Sequence, residues 1–188
     1  NTMKSILIVD DEPNIRESLK GILQDEGFRT LFAENGDEAL TLTREETPDL
    51  MLLDIWMPGM DGIETLRRIR EAYPEQLVIM MSGHGTIETA VKATKLGAFD
   101  FIEKPLSLDK VLLCIQNAMK VGQLVQENRF LKAKLAKESE MIGESSAIRD
   151  LKHQISIAAP TSGWVLITGE NGTGKELVAR AIYQHSLR

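Results

Sequence analysis

One cysteine, two tryptophans and two tyrosines are all that this 188-residue chain holds of those types. The lone Cys114 excludes an intrachain disulfide framework and fits a reducing cytoplasm. Its setting in LLCIQ reads as core packing, not as a reactive thiol. No apolar run approaches the ~20 residues of a membrane span, and the start of the chain carries no signal-peptide pattern. A cytoplasmic protein with no membrane partner is therefore expected. Clustered basic residues are also scarce. Residues 1–120 carry 13 Lys and Arg against 21 Asp and Glu, whereas residues 121–188 carry 9 against 7. The acidic part lacks the basic surface that nucleic-acid phosphates require, and its surplus charge mainly favours solubility. Asn1 and Thr2, ahead of Met3, read as additions before a natural start. The length suggests one domain, or one and a fraction.

What is present is a regular alternation of short apolar runs and helical patterns. Ile6–Val9 precedes a helix over Pro13–Glu26, with Ile15, Leu19, Ile22 and Leu23 on one face. Pro13 suits its first turn and Gly27 its stop. Phe28–Ala33 reads as a short strand and Asp37–Glu45 as a weak helix. Leu50–Leu53 and Leu77–Met81 are apolar at every position, as strands covered on both faces are. The loop PGMDG leads to a helix carrying Ile63, Leu66 and Ile69. Thr86–Leu96 follows as a helix stopped by Gly97. Phe99–Ile102 is the fifth strand, and Ser107 caps a helix with Val111, Leu112 and Ile115. Five such repeats require parallel strands and right-handed crossovers. The fold class is α/β, a five-stranded doubly wound sheet, and such sheets bind ligands beyond the carboxyl ends of their strands.

Polar clusters close four of these runs. ILIVDDE ends in Asp10 and Asp11, LMLLDIW in Asp54, VIMMSGH in Ser82, and FIEKP in Lys104 and Pro105. Taken singly, each has an ordinary explanation: a helix cap, a turn, a solvated strand end. Parallel strands would place all of them on one rim. Adjacent carboxylates repel, and Mg²⁺ relieves this because it takes oxygen ligands and leaves room for phosphate oxygens. Asp54 can then act as a carboxylate nucleophile, Lys104 can neutralise an incoming phosphoryl group, and the Ser82 hydroxyl can donate to it.

With VDDE at 9–12, LLDIWMPGMDG at 52–62, MSGHG at 81–85 and FIEKP at 101–105, the chain from Met3 to about Met119 closely resembles response-regulator receiver domains. These are the phosphorylation modules of two-component signalling. The resemblance implies a flavodoxin-like, CheY-like sheet of order 2-1-3-4-5. It also implies that Asp54 is the phosphoacceptor of a sensor histidine kinase. Asp11, Asp54 and the backbone carbonyl of Trp56 would ligate Mg²⁺, with Asp10 assisting through water. Ser82 becomes the switch hydroxyl, Phe101 the switch aromatic, and Lys104–Pro105 a cis peptide. Trp56 departs from fast-cycling receivers, because it offers no polar side chain to position an attacking water. Slow loss of phosphate is expected.

The last helix runs on through VGQLVQENRFLKAKLAKE, with Val121, Leu124, Asn128, Leu131 and Leu135 at alternating a and d positions. An isolated Asn at an a position fits a homodimeric coiled coil whose register it sets; a solvated helical linker remains the alternative. Beyond it, Ser146–Ala159 reads as helix, Trp164–Thr168 as a buried strand and Lys175–Leu187 as a final helix. Between these lies GENGTGKE: Gly169, Glu170, Asn171, Gly172, Thr173, Gly174, Lys175 and Glu176. A strand, a glycine-rich turn and a helix opening on lysine form the context of a phosphate-binding loop. Glu176 stands where such loops usually carry Ser or Thr. GENGTGKE, with MIGESSAIRDLKHQI upstream, resembles the start of the AAA+ domain of sigma-54-dependent activators, where glutamate follows the lysine routinely.

The expected organisation is thus a receiver over 3–120, a helical linker over 121–138 and the start of an AAA+ sigma-54 interaction domain over 139–188. Its expected role is that of an NtrC-type response regulator. Phosphorylation at Asp54 would control assembly of an ATPase that activates sigma-54-dependent transcription. Mg²⁺ is the expected cofactor, with ATP bound by the longer parent. Contacts with sigma-54 polymerase and DNA would lie outside this chain. No ATP turnover is expected from the chain itself, because only 13 residues follow Lys175. Two other readings stand beside this one: a P-loop ATPase or kinase with a regulatory acidic domain, and a Mg²⁺-dependent aspartyl-phosphate phosphohydrolase.

Overall fold

The computed structural model describes residues 3–83, 86–138 and 141–186, with the backbone alone for 135–138. Asn1, Thr2, His84, Gly85, the side chain of Leu135 and Leu187 lie outside that description. The chain divides into two units, one up to Leu124 and the other from Val125 onward.

In the first unit five parallel strands make one sheet: β1 (Ser5–Val9), β2 (Arg29–Ala33), β3 (Leu50–Asp54), β4 (Leu77–Ser82) and β5 (Asp100–Glu103). Their spatial order is β2-β1-β3-β4-β5. Alternation along the strands divides the core between two faces. Leu7, Val9, Met51, Leu53, Val78 and Met80 pack with residues of α2 (Gly36–Glu46), α3 (Gly62–Ala72) and α4 (Ile87–Lys95). Ile6, Ile8, Leu50, Leu52, Ile79 and Met81 pack with α1 (Pro13–Asp25) and the first turns of α5 (Leu108–Glu138). All twelve are fully buried, each worth roughly 1.5–3 kcal/mol. Strands apolar at every position are thus explained by helices on both sides. β2 lies at the sheet edge and starts at Arg29, one residue after the expected Phe28.

Local signals set the helix ends. Asn35, Asp61 and Thr86 cap α2, α3 and α4 through side-chain oxygens, satisfying amides left free at the first turn. Pro13 opens α1, and Gly27 and Gly97 stop α1 and α4 with positive φ. Register places the strand ends together: Val9 faces Leu53, Asp54 faces Met81, and Ser82 faces Glu103. The expected cis peptide at Lys104–Pro105 is present.

α5 continues unbroken for 31 residues. Leu124, Asn128 and Leu131 of the apolar seam are exposed on it, as is Phe130. The second unit also contains α6 (Ser146–Ala158) and α7 (Lys175–His185). The buried strand expected over 164–168 does not form. That segment is irregular, and Trp164, Val165 and Leu166 are exposed. A strand has no hydrogen bonds within itself, and no described segment pairs with this one. The helices on either side close their bonds locally and need no such neighbour.

Candidate functional site

β1 and β3 deliver three carboxylates to one place. Oxygens of Asp10, Asp11 and Asp54 lie within 4.8 Å of one another. Asp10 and Asp54 are buried and Asp11 is exposed. β5 brings Lys104 across the rim, its side chain only 11% exposed, with Nζ 2.8 Å from Asp10 Oδ2 and 3.3 Å from Asp54 Oδ2. Glu12 stands 3.6 Å from the same ammonium. Neither early aspartate caps α1. Its N-cap is Glu12, which makes no side-chain capping bond, and Asp10 Oδ1 accepts from the Glu12 amide at 2.9 Å.

Electrostatics follow from this burial. Loss of water pushes the Asp54 carboxyl up to about 6; the Lys104 charge opposes that and the Asp10 charge reinforces it. For Lys104, burial alone would lower the ammonium. Its bond and ion pair with Asp10, then the charge of Asp54, outweigh burial and raise it. Asp54 Oδ1 is buried and has no hydrogen-bond partner. A lone buried carboxylate oxygen beside two further carboxylates suits a hard divalent cation. The residues present therefore fit Mg²⁺.

Ser82 is fully buried at the end of β4, one residue beyond the register partner of Asp54. Its carbonyl accepts from the Lys104 amide at 2.8 Å, so serine and lysine are tied through the backbone. Phe101 opposes Met80 in the neighbouring strand and packs half-buried, as Leu96 does, against the cluster containing Ala93 and Ala98. Trp56 is 58% exposed on the loop after β3, whereas the adjacent Met57 is buried.

Some contributors escaped the sequence reading. Gly62, read only as part of a loop, passes so close to β3 that an added Cβ would lie 2.0 Å from the Asp54 carbonyl oxygen. Its amide donates to the Ile55 carbonyl at 2.8 Å, fastening α3 beneath the site. Arg16, on α1, donates to the Asp10 carbonyl at 2.6 Å. The adjacent Asp61–Gly62 in PGMDG signals a capped helix start, but a close backbone approach carries no mark in the sequence.

The glycine loop lies in the second unit. Gly172 and Gly174 have positive φ, and Gly174 is the N-cap of α7. Lys175 Nζ donates to the carbonyls of Gly169 and Glu170, and the Thr173 hydroxyl donates to Glu170 at 2.7 Å. Glu176 pairs with Arg180 one turn on. The glycine turn and the helix opening on lysine are thus formed, without the strand expected ahead of them.

Two family models match the chain. The family described as the response regulator receiver domain matches residues 6–116, and that described as the sigma-54 interaction domain matches residues 141–188. The nitrogen assimilation regulatory protein NtrX of Azorhizobium caulinodans is 45% identical over 97% of this chain and 40% of its own length. The crystal structure of NtrX from Brucella abortus is 43% identical, with a TM-score of 0.72 over 99% of this chain and 41% of that one. The receiver domain of NtrX from Brucella abortus, solved alone, is 47% identical, with a TM-score of 0.59 over 61% of this chain and 98% of its own. The chain spans about two fifths of the curated relatives it matches. Among the described residues no helix is long and apolar enough to cross a membrane. With its five-stranded sheet, its acidic rim and both family matches, the chain belongs to the response-regulator receiver family and carries part of a sigma-54 interaction domain after the receiver fold.

Proposed function

We propose that Asp54 is the phosphoacceptor of a histidine kinase, and that phosphorylation here controls a sigma-54-dependent transcription activator. The unpartnered oxygen of buried Asp54, beside Asp10, Asp11 and Lys104, carries this reading. Asp10, Asp11, Asp54 and the Trp56 carbonyl would hold Mg²⁺, which supplies charge neutralisation for carboxylates and phosphoryl oxygens. An Asp54 carboxylate oxygen attacks the phosphorus of a phosphohistidine. The new O–P bond forms as the P–N bond breaks, and the leaving imidazole takes up a proton. Lys104 compensates the added charge, and the Ser82 hydroxyl donates to a phosphoryl oxygen.

Trp56 makes the modified state last. Trp56, two residues after Asp54, offers no polar side chain to orient an attacking water. The signal passes from Ser82 and Phe101 toward α5, whose exposed seam at Val121, Leu124 and Leu131 becomes the contact of a homodimer. A beryllofluoride-activated receiver dimer is known for the relative NtrC4. In the longer parent the loop over 169–176 binds ATP; crystal structures of Brucella abortus NtrX contain ADP and ATP. This chain itself turns over no ATP, and any turnover above that of Lys175→Ala would contradict this.

Incubation with acetyl phosphate and Mg²⁺, followed by intact mass and light scattering, tests the proposal. Wild type gains one phosphoryl group and shifts its dimer equilibrium, whereas Asp54→Ala gains none. Repeated turnover of donor without a persistent adduct would instead identify a phosphohydrolase. Trp56→Asn loses its phosphoryl group faster than wild type. Equal or slower loss in that variant would remove the role given to Trp56.

A further inference from the structure

Asp10 and Asp11 are adjacent, yet the structure holds them very differently. Buried Asp10 is held at its amide, its carbonyl and Oδ1 by hydrogen bonds, and at Oδ2 by an ion pair alone. Its amide donates to the Ala33 carbonyl at 3.1 Å, Oδ1 accepts from Glu12, Oδ2 faces Lys104, and its carbonyl accepts from Arg16 Nη1 at 2.6 Å. Asp11 is exposed, and its carboxylate has no hydrogen bond to any described residue. Its position depends on the peptide that precedes it. That peptide is planar, so fixing the Asp10 carbonyl oxygen also fixes the direction in which the chain enters Asp11.

Arg16 is built to do this. Its side chain is only 14% exposed, and its second nitrogen, Nη2, reaches the Glu34 carboxylate at 2.6 Å. Glu34 is itself anchored, since its amide donates to Glu38 in the first turn of α2 at 2.8 Å. One planar guanidinium thereby ties α1, the Asp10–Asp11 peptide and the loop after β2 together. Bonds to a charged donor are among the stronger hydrogen bonds, and the fixed fork of arginine meets two acceptors that one lysine nitrogen cannot span equally well. The N-cap of α1, Glu12, makes no side-chain bond of its own, so the Asp10 Oδ1 bond to the Glu12 amide and the Arg16 bond to the Asp10 carbonyl are what hold the turn on either side of Asp11.

We infer that Arg16 is a positioning residue for divalent-cation capture, holding the Asp10–Asp11 peptide so that the Asp11 carboxylate stays beside Asp10 and Asp54. This rests on the acidic rim being a Mg²⁺ site. Glu34 is the second jaw of the clamp, keeping the guanidinium in place, and it lines the same cavity as Asp11. The role goes beyond fold stability, because it predicts altered metal affinity in protein that remains folded.

The test uses the whole chain in a Trp164→Phe background, so that Trp56 alone reports on the site. Mg²⁺ is titrated by fluorescence and by calorimetry well below the melting temperature, for wild type, Arg16→Ala, Arg16→Lys and Glu34→Gln. Arg16→Ala should weaken Mg²⁺ binding about 10-fold, with Arg16→Lys intermediate and Glu34→Gln mildest. Half-maximal phosphoryl uptake from acetyl phosphate should need about 10-fold more Mg²⁺ in Arg16→Ala than in wild type, following the loss of affinity. Wild-type Mg²⁺ affinity in Arg16→Ala would overturn the inference. If that variant does not fold, wild-type affinity in both milder variants would do the same. Absence of a Mg²⁺ response in wild type would instead bring down the reading of the rim, and this inference with it.

Discussion

β3 and the 164–168 segment have nearly the same chemistry and opposite fates. LMLL in the first unit is fully buried between two helical layers, whereas WVLI in the second lies irregular, with Trp164, Val165 and Leu166 exposed. The difference is the presence of neighbours. β3 is hydrogen-bonded to β1 and β4 along both edges, and its side chains meet α1 and α5 on one face and α2–α4 on the other. No described strand accompanies 164–168. Apolar sequence thus expresses a demand for burial, and only surrounding chain can meet it. The same contrast separates the two candidate sites. The acidic rim is assembled from three strand ends, while the glycine loop is closed by bonds among its own residues.

Substitutions at matched positions measure this contrast. Leu52→Ala removes a fully buried side chain and should cost about 2–5 kcal/mol in urea unfolding. Leu166→Ala should change stability by no more than about 0.5 kcal/mol. Trp56 and Trp164 lie in different units, so single-tryptophan variants read each transition separately. Comparable costs at the two positions would mean that 164–168 is packed in solution. Gly62→Ala comes next. It places a methyl group against the Asp54 carbonyl and should cost about 1–3 kcal/mol while impairing phosphoryl uptake.

A third measurement is pH dependence. The Asp54 carboxyl is raised from 3.8 to about 6, chiefly by burial, so its ionised form burdens the metal-free fold. Without metal, this group's unfavourable contribution is complete above about 6 and fades as the pH falls toward 4. Mg²⁺ should raise the melting temperature at pH 7.5, and this gain should shrink as protons compete for Asp54 below about 6. Thermal scans with and without Mg²⁺ check both signs. A gain unchanged at pH 5 would remove Asp54 from the cation site. The smallest expected effect is at the glycine loop. Lys175 bonds there to exposed carbonyls, so Lys175→Ala should alter stability by under about 0.5 kcal/mol.

Much of the first unit was legible because its signals are local or periodic. Caps, stops and alternating apolar runs marked the elements within a residue or two, as at Gly27, Thr86 and Gly97. The gathering of Asp10, Asp11, Asp54 and Lys104 on one rim was legible because parallel strands must present their carboxyl ends on one side. Arg16 and Gly62 were not, since each acts through a backbone atom outside its own helix and carries no compositional mark. The strand over 164–168 was expected from its pattern alone, although strand formation is a property of at least two segments.

The amino-acid sequence by itself determined the helices, the strand periodicity and the chemistry available at each strand end. Those depend on bonds within a turn and on the identity of single residues. Tertiary structure decided which carboxylates share one rim, which backbone carbonyl among them Arg16 holds, and how far burial lifts Asp54. It also left the 164–168 segment without strand partners. These outcomes depend on distances between segments far apart in the chain, set by sheet register and helix packing, which no local pattern encodes.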